Sequence, residues 1–147
     1  MKPIIIFGAG EIAQIARIYF DQFSEREIVA FTVDKNFLSG NTFGGLPLIA
    51  SDEVARIYPS SDFDCFVAIS YQNMNGTRKE KCELMRSLGY QLPSFVFPDL
   101  STFIVKHGDN CLILENNTIQ PFAELGNNVF LWSGNHIGHH VKVQDDV

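Results

Sequence analysis

Histidines crowd the end of the chain, where GNHIGHHVKV places His136, His139 and His140 around Gly138. An imidazole titrates near neutral pH, so it is well suited to remove a proton from an attacking group as a general base. The alternative is that these side chains are polar residues on the outer faces of short strands. The segment predicts general-base chemistry at one of these histidines.

A metal site is the second chemistry that the histidines could provide. His136 and His140 are four residues apart, a spacing that presents both on one face of a helix but not on a flat strand. No cysteine or carboxylate stands beside them at the spacing of a further zinc ligand. We therefore predict no metal site.

A glycine turn near the start of the chain, FGAGEIA, is the second group with chemical potential. Gly8, Gly10 and Ala13 fit G-x-G-x-x-A between a strand and a helix, where backbone N–H groups meet a pyrophosphate. Asp34 lies where an acidic residue would contact a ribose hydroxyl. Glu11 disfavours close phosphate contact if its side chain faces the ligand. Two interpretations stay open on these residues alone: a dinucleotide site for NAD, or a tight turn with no ligand.

Alternating strands and helices must position these groups. PIIIF, EIVAFTV and FDCFVAIS are continuous apolar runs, typical of a parallel sheet covered on both faces. A helix-period segment follows the first run, a short helix capped by Ser51 precedes the third, and TRKEKCELMRSLG has Thr77 and Glu80 at capping-box spacing, with Gly89 at its end. We predict a small Rossmann-like α/β domain over residues 1–98, with about four strands, the last of them LPSFVF.

After Pro98 the hydrophobic period becomes six residues. Aliphatic residues occupy every sixth position: Ile113, Ile119, Leu125, Leu131, Ile137 and Val143. A second column, four residues after each, holds Asn117, Ala123, Val129, Asn135, Val141 and Val147. This period is the signature of a parallel β-helix, and Asn and Gly suit its corners. We predict the start of a left-handed parallel β-helix over residues 99–147, and we expect the natural chain to continue, because an open end exposes strand edges.

Composition limits the partners of the chain. A net charge of −6, with no basic stripe, argues against nucleic acid. Cys65, Cys82 and Cys111 are odd in number and widely spaced, which fits a reducing compartment better than a disulfide framework. The opening apolar run is broken by two glycines and a glutamate before it could form a signal segment, and nothing else approaches a membrane span. We predict a cytoplasmic protein with no membrane partner.

An α/β domain that opens on FGAG, followed by hexapeptide repeats containing HIGHH, resembles the bacterial sugar O-/N-acyltransferases. That family includes the sialic acid O-acetyltransferases and the N-acetyltransferases of nucleotide-linked amino sugars. The resemblance covers essentially the whole chain, although the family's tail is longer by several hexads. It implies a homotrimer that transfers acetyl from acetyl-CoA to a hydroxyl or amine of a sugar, commonly UDP-linked and destined for a surface glycan. It further implies that the N-terminal domain holds the nucleotide and that acetyl-CoA lies along the β-helix between subunits.

The family pattern V-x-H-D-x-x-I-G-D is similar to IGHHVKVQD here. The resemblance lays His139 over the histidine base and His140 over the acidic residue, so these two are the candidate catalytic residues. An acid there would orient the imidazole or raise its basicity, whereas His140 can only orient it, as a neutral partner. The orienting carboxylate is then expected from Glu115 or Glu124, about one β-helix turn away.

The segment VAISYQNMNGTRKEK resembles the family's V-A-I-G-x-N-x-x-R. Ser70 replaces the glycine, the loop is longer, and Arg78 matches the arginine, which could pair with a phosphate or with a surface carboxylate. The residues expected to bind the nucleotide-linked sugar are Gly8, Gly10, Glu11, Asp34, Ser70 and Arg78. The alternative function is a nucleotide-sugar or NAD binding module without catalysis, whose β-helix serves trimer contact.

Overall fold

The computed structural model describes residues 1–100 and 106–147. The chain divides into two units, Met1–Leu92 and Pro93–Val147. The elements of the first unit are β1 (Ile4–Phe7), α1 (Glu11–Phe23), β2 (Ile28–Val33), β3 (Thr42–Phe43), β4 (Leu46–Ala50), α2 (Val54–Ile57), β5 (Asp64–Val67) and α3 (Gly76–Ser87). Those of the second are the short strands β6 (Phe95–Val96), β7 (Leu112–Ile113), β8 (Thr118–Ile119), β9 (Glu124–Leu125), β10 (Phe130–Leu131), β11 (His136–Ile137) and β12 (Lys142–Val143). Short 3-10 turns span Lys35–Phe37 and Pro98–Leu100.

A five-stranded sheet in the order β3-β4-β2-β1-β5 forms the first unit. All of its pairings are parallel except that of β3 with β4, a hairpin at the edge. Every residue of β1 and β5 is buried, because helices cover both faces of a parallel sheet. The predicted mixed α/β fold with parallel strands is confirmed. The edge hairpin was not predicted, since a two-residue strand carries too little pattern to detect.

The helix ends differ from the sequence predictions. Ser51 does not cap α2, because its hydroxyl donates to Asp34 Oδ1 at 2.8 Å and the helix begins only at Val54. Thr77 is not the cap of α3 either, since Asn75 precedes that helix in the left-handed region with φ of 67°. Gly89 ends α3 as predicted, with φ of 92° and its N–H donated to Arg86 O.

Parallel pairing between residues 18 positions apart organises the second unit. Phe130 pairs with Leu112, His136 with Thr118, and Lys142 with Glu124. The residues of the predicted aliphatic column lie in one buried core cluster or pack against it. The cluster consists of Cys111, Ile113, Ile119, Ala123, Leu125, Val129 and Leu131, and the partly buried Val96, Ile137 and Val143 pack against it. Three consecutive hexads therefore complete one coil, and each aliphatic residue points inward.

The strand predicted in LPSFVF belongs to this second unit. Only Phe95–Val96 is extended, and it pairs with β7. Ser94 fixes the approach of this strand, because its hydroxyl donates to Gly108 O and accepts the Cys111 N–H, each at 2.9 Å. Among the helices of the described residues, none is long and apolar enough to cross a membrane.

Candidate functional site

A pocket of about 760 Å³ opens at the carboxyl ends of β1, β2 and β5. The chain runs from β1 through β2 to β4 on one side and then returns to place β5 on the other side of β1. Ligands of open α/β sheets bind at such a switch in strand order. The residues that line the pocket are Phe7, Gly8, Ala9, Gly10, Glu11, Ile12, Val33, Asp34, Phe37, Ala68, Ile69, Ser70, Tyr71, Gln72, Thr77 and Lys81.

The two glycines of the turn have different roles. Gly8 adopts φ of +134°, and a Cβ there would stand 2.4 Å from the carbonyl oxygen of Ala68, so the approach of the β5 end requires glycine. Gly10 has φ of −117° and ψ of −163° as the residue before α1, and a Cβ there would meet nothing within 4 Å. Open space in front of Gly10 leaves room for a group from outside the chain.

Asp34, which follows β2, is held by two side chains. Its Oδ1 accepts from Ser51 at 2.8 Å, and its Oδ2 lies 2.5 Å from Lys81 Nζ. Burial alone raises the pKa of Asp34, but the hydrogen bonds from Lys81 and Ser51 and the positive charge of Lys81 together lower the pKa below its ordinary value. Asp34 is therefore a fixed carboxylate at neutral pH.

Five of the six residues expected to bind the nucleotide-linked sugar line this pocket: Gly8, Gly10, Glu11, Asp34 and Ser70. Arg78 is not among the lining residues, and only 3% of it is exposed on α3. Lys81 and the aromatic residues Phe37 and Tyr71 also line the pocket and were not predicted from the sequence. Phe37 and Tyr71 are 72% and 84% exposed. The helical period offered a signal for Lys81, since it lies one turn beyond Thr77 on the same face of α3.

A second arrangement is built by the repeat itself. Non-helical left-handed backbone recurs at every sixth residue of the second unit: Asn110, Asn116, Phe122, Asn128, Gly134, His140 and Asp146. These are the corners of the coils, and most hold the residue types that tolerate positive φ. Side-chain hydrogen bonds join successive coils at one series of these corners. Asn110 Nδ2 donates to Asn128 Oδ1 at 3.1 Å, and Asn128 Nδ2 donates to Asp146 Oδ1 at 2.8 Å.

His140 occupies one of these corners, with φ of 61°. Its ring stacks on Phe122 of the preceding coil, with centroids 4.8 Å apart and planes inclined by 24°. Its Nδ1 lies 3.0 Å from Nδ1 of His139, and the two rings are perpendicular. The backbone N–H of His139 donates to Gln120 Oε1 at 3.0 Å, so both its backbone and its ring are held. Corner geometry thus places the two predicted catalytic histidines in direct contact.

One ring of this pair must donate its Nδ1–H and the other must accept it. If His139 donates, its Nε2 carries the free lone pair and can act as a base. Within residues 1–100 and 106–147, Nε2 of His139 has no hydrogen-bond partner. Both side chains are exposed.

The predicted orienting carboxylate is not found at Glu124. Its Oε2 lies 3.7 Å from the Nζ atoms of both Lys106 and Lys142, so this carboxylate faces two lysines rather than His139. His136 lies on β11, paired with Thr118 and exposed. In the part of the chain that the structure describes, no three His, Cys, Asp or Glu side chains gather as a metal site would require.

No family model matches the chain, and no curated protein matches it. Several solved structures do. The acetyltransferase domain of PglB from Neisseria gonorrhoeae FA1090, in complex with acetyl coenzyme A, matches with a TM-score of 0.79 and 20% identity over 97% of this chain and 67% of that one. A histidine-to-asparagine mutant of perosamine N-acetyltransferase from Caulobacter crescentus, in complex with CoA and GDP-perosamine, matches with a TM-score of 0.82 and 15% identity over 99% and 67%.

WeeI from Acinetobacter baumannii AYE matches with a TM-score of 0.58 and 17% identity over 99% of this chain and 68% of that one. Likenesses at such low identity establish a shared fold. The chain has the mixed α/β fold with parallel sheets of these proteins, and it spans about two thirds of their length.

Proposed function

We propose that this chain transfers an acetyl group from acetyl-CoA to a hydroxyl or amine of a nucleotide-linked sugar, in the bacterial cytoplasm and for surface glycan synthesis. The first unit, Met1–Leu92, is a Rossmann-like domain that binds the nucleotide-linked sugar. It ends before the boundary expected at residue 98, because the strand Phe95–Val96 pairs with β7 of the second unit. The second unit, Pro93–Val147, begins a left-handed parallel β-helix that carries the acyl-transfer chemistry. The pairing of residues 18 apart and the left-handed corners support a parallel β-helix, and the family resemblance supplies its hand.

The contact between His139 and His140 is the observation that carries this proposal. It engages Nδ1 of His139 and leaves Nε2 without a partner among the described residues, on an exposed side chain, which is the arrangement that a histidine base needs. His140, set by its corner backbone and by the ring of Phe122, accepts the Nδ1–H of His139 and so fixes its tautomer. The shared fold agrees with this role, since a neighbour holds acetyl coenzyme A and another holds CoA with GDP-perosamine.

The chemistry runs as one acyl exchange. Nε2 of His139 removes a proton as the sugar oxygen or nitrogen attacks the thioester carbonyl of acetyl-CoA. A carbon–oxygen or carbon–nitrogen bond forms, the carbon–sulfur bond breaks, and the leaving CoA thiolate takes up the proton from the imidazolium. His140 stays neutral and holds the ring that passes the proton.

The pocket of the first unit receives the nucleotide-linked sugar. The open space before Gly10 suits the diphosphate, and Asp34 suits the ribose hydroxyls, because it is a carboxylate with acceptor capacity beyond Ser51 and Lys81. The exposed rings of Phe37 and Tyr71 offer flat apolar faces at the same pocket. NAD carries the same pyrophosphate and ribose, so it is the ligand to exclude.

We propose a homotrimer, with acetyl-CoA along the β-helix between neighbouring subunits. Phe122 is 64% and Val141 41% exposed, and both lie next to the histidine pair in sequence or in stacking. Large apolar side chains exposed beside a catalytic group are suited to burial against a partner subunit.

Release of free CoA thiol by the natural protein, measured with UDP-, GDP- and dTDP-linked amino sugars, tests the function. His139→Ala should lower kcat/KM by about a hundredfold or more, the usual contribution of a general base. His136→Ala, which removes the same side chain three residues away, should change kcat/KM by less than about threefold. A kcat/KM of His139→Ala within about threefold of that of the unsubstituted protein would show that His139 is not the general base. Saturable NADH binding without any acetyl transfer would favour the binding-module alternative.

A further inference from the structure

We infer that Lys81 is the residue that binds the diphosphate of the nucleotide-linked sugar and that Asp34 holds its ammonium in place for this task. The inference rests on the proposed function, since it assigns a chemical role within the same pocket. The resemblance offered Arg78 as a partner of a phosphate or of a surface carboxylate, but Arg78 does not line the pocket.

The charge balance of the pocket requires a cation. Of the side chains that line the pocket in the described residues, Glu11 and Asp34 are acidic and Lys81 is the basic one. A diphosphate adds further negative charge, which two carboxylates would repel in a partly enclosed pocket. An ammonium at the same place attracts the phosphate groups, offsets the repulsion from the two carboxylates and provides charge-assisted hydrogen bonds.

The position of Lys81 fits a phosphate between the glycine turn and the ribose site. Its Nζ lies 5.7 Å from the ring centroid of Phe7, the last residue before the turn, and 2.5 Å from Oδ2 of Asp34. The ammonium therefore stands between the ends of β1 and β2. An ammonium has three N–H donors, so it can keep Asp34 and still donate to phosphate oxygens.

The Lys81 side chain is also preorganised by its ion pair with Asp34. About 20% of it is exposed in the ion pair with Asp34, so much of the cost of ordering a flexible lysine is met before the ligand arrives. Thr77 lies one helical turn earlier on α3 and lines the pocket as well, which adds a hydroxyl donor on the same face.

Affinities for matched ligands test this inference in the natural protein. GDP, UDP and dTDP are titrated by calorimetry, and the corresponding nucleosides are followed by ligand-detected NMR, which measures millimolar binding. Lys81→Met should raise the Kd of the diphosphate that binds by at least about tenfold, the loss of one charge-assisted hydrogen bond. The Kd of the nucleoside should change by less than about threefold, and Lys81→Arg should recover most of the diphosphate affinity. Lys79→Met, an exposed lysine on the same helix, is the matched control.

Each outcome decides between the two proposals. Unchanged diphosphate affinity in Lys81→Met, with binding by the unsubstituted protein, overturns only the role of Lys81. Equal weakening of nucleoside and diphosphate shows that Lys81 merely shapes the pocket through Asp34, and also overturns it. Absence of binding for all three diphosphates overturns the nucleotide assignment of the pocket and the role of Lys81 with it.

Discussion

In the first unit, the pocket collects its polar groups from places far apart in the chain: Gly8 from the first turn, Asp34 from the end of β2, Ser70 from beyond β5 and Lys81 from α3. In the second unit, His139 and His140 are neighbours, and the residues that hold them stand one coil earlier. The order of the strands in the sheet brings the pocket residues together, whereas the six-residue repeat places the two histidines in contact. The first kind of site depends on close approaches between distant segments, and the second on a backbone conformation that recurs.

The largest difference between the two kinds of site should appear at glycines with positive φ. Gly8→Ala brings a Cβ against the Ala68 carbonyl oxygen in addition to strained backbone, so we expect it to lower the free energy of unfolding by about 3 kcal/mol or more. Gly134→Ala, at a coil corner with φ of 88° and nothing within 4 Å, should cost about 1 kcal/mol. Urea unfolding followed by circular dichroism measures both. Equal losses would mean that the close approach at Ala68 is not what requires glycine at Gly8.

A smaller effect should distinguish the backbone requirement at the corner residue His140 from the chemical role of its side chain. At φ of 61°, His140→Val places a β-branched residue where the chain turns left-handed, so it should be less stable than His140→Asn by about 2 kcal/mol. His140→Asn should stay within about 1 kcal/mol of the unsubstituted protein, because Asn suits this backbone, yet it should lose about tenfold in acetyl transfer. Thermal unfolding and the thiol assay report the two quantities. Equal stability of the two variants would show that the corner does not constrain this residue.

The smallest effect concerns the ion pair of the pocket. Because the pKa of Asp34 is lowered on folding, the pair stabilises the protein above the ordinary carboxyl value of 3.8 and loses this contribution as the pH falls through the lowered value. The stability difference between the unsubstituted protein and Lys81→Met should therefore be largest near neutral pH and shrink below about pH 4. Urea midpoints from pH 3 to pH 7 give this difference. Lys79→Met should show no such pH dependence, and a difference that grows toward low pH would contradict the assignment.

Patterns with a regular period were predictable in both units, and contacts between distant residues were not. The apolar runs at β1 and β5 correctly predicted a parallel sheet, and the six-residue period from Ile113 to Val143 correctly predicted the inward face of the coils. The pairing of Ser51 with Asp34 replaced an expected helix cap, because a tertiary partner outweighed the local one. The edge strand β3 was not predicted, because its two residues are too few to show a hydrophobic pattern.

The same division applies to the candidate sites. Gly8, Gly10 and Asp34 were predictable because their spacing follows a strand–turn–helix unit. Lys81 was not predicted, since its helical spacing from Thr77 indicates a binding role only once Thr77 is known to line the pocket. Glu124 was expected near His139 from the repeat alone, but Lys106 and Lys142 determine the direction in which its carboxylate points.

The regular spacing of the corners also governs which changes in length the second unit tolerates. A one-residue insertion between Phe122 and His140 would move every later side chain off its inward or corner position, so that Asp146 would no longer continue the column from Asn110 and Asn128. Deletion of a whole hexad would keep the inward column but turn each later residue onto the next side of the coil, carrying His139 away from Gln120. Only insertions or deletions of a full 18 residues would return every side chain to its own side. Natural length variation in this part of the chain should therefore proceed in whole coils.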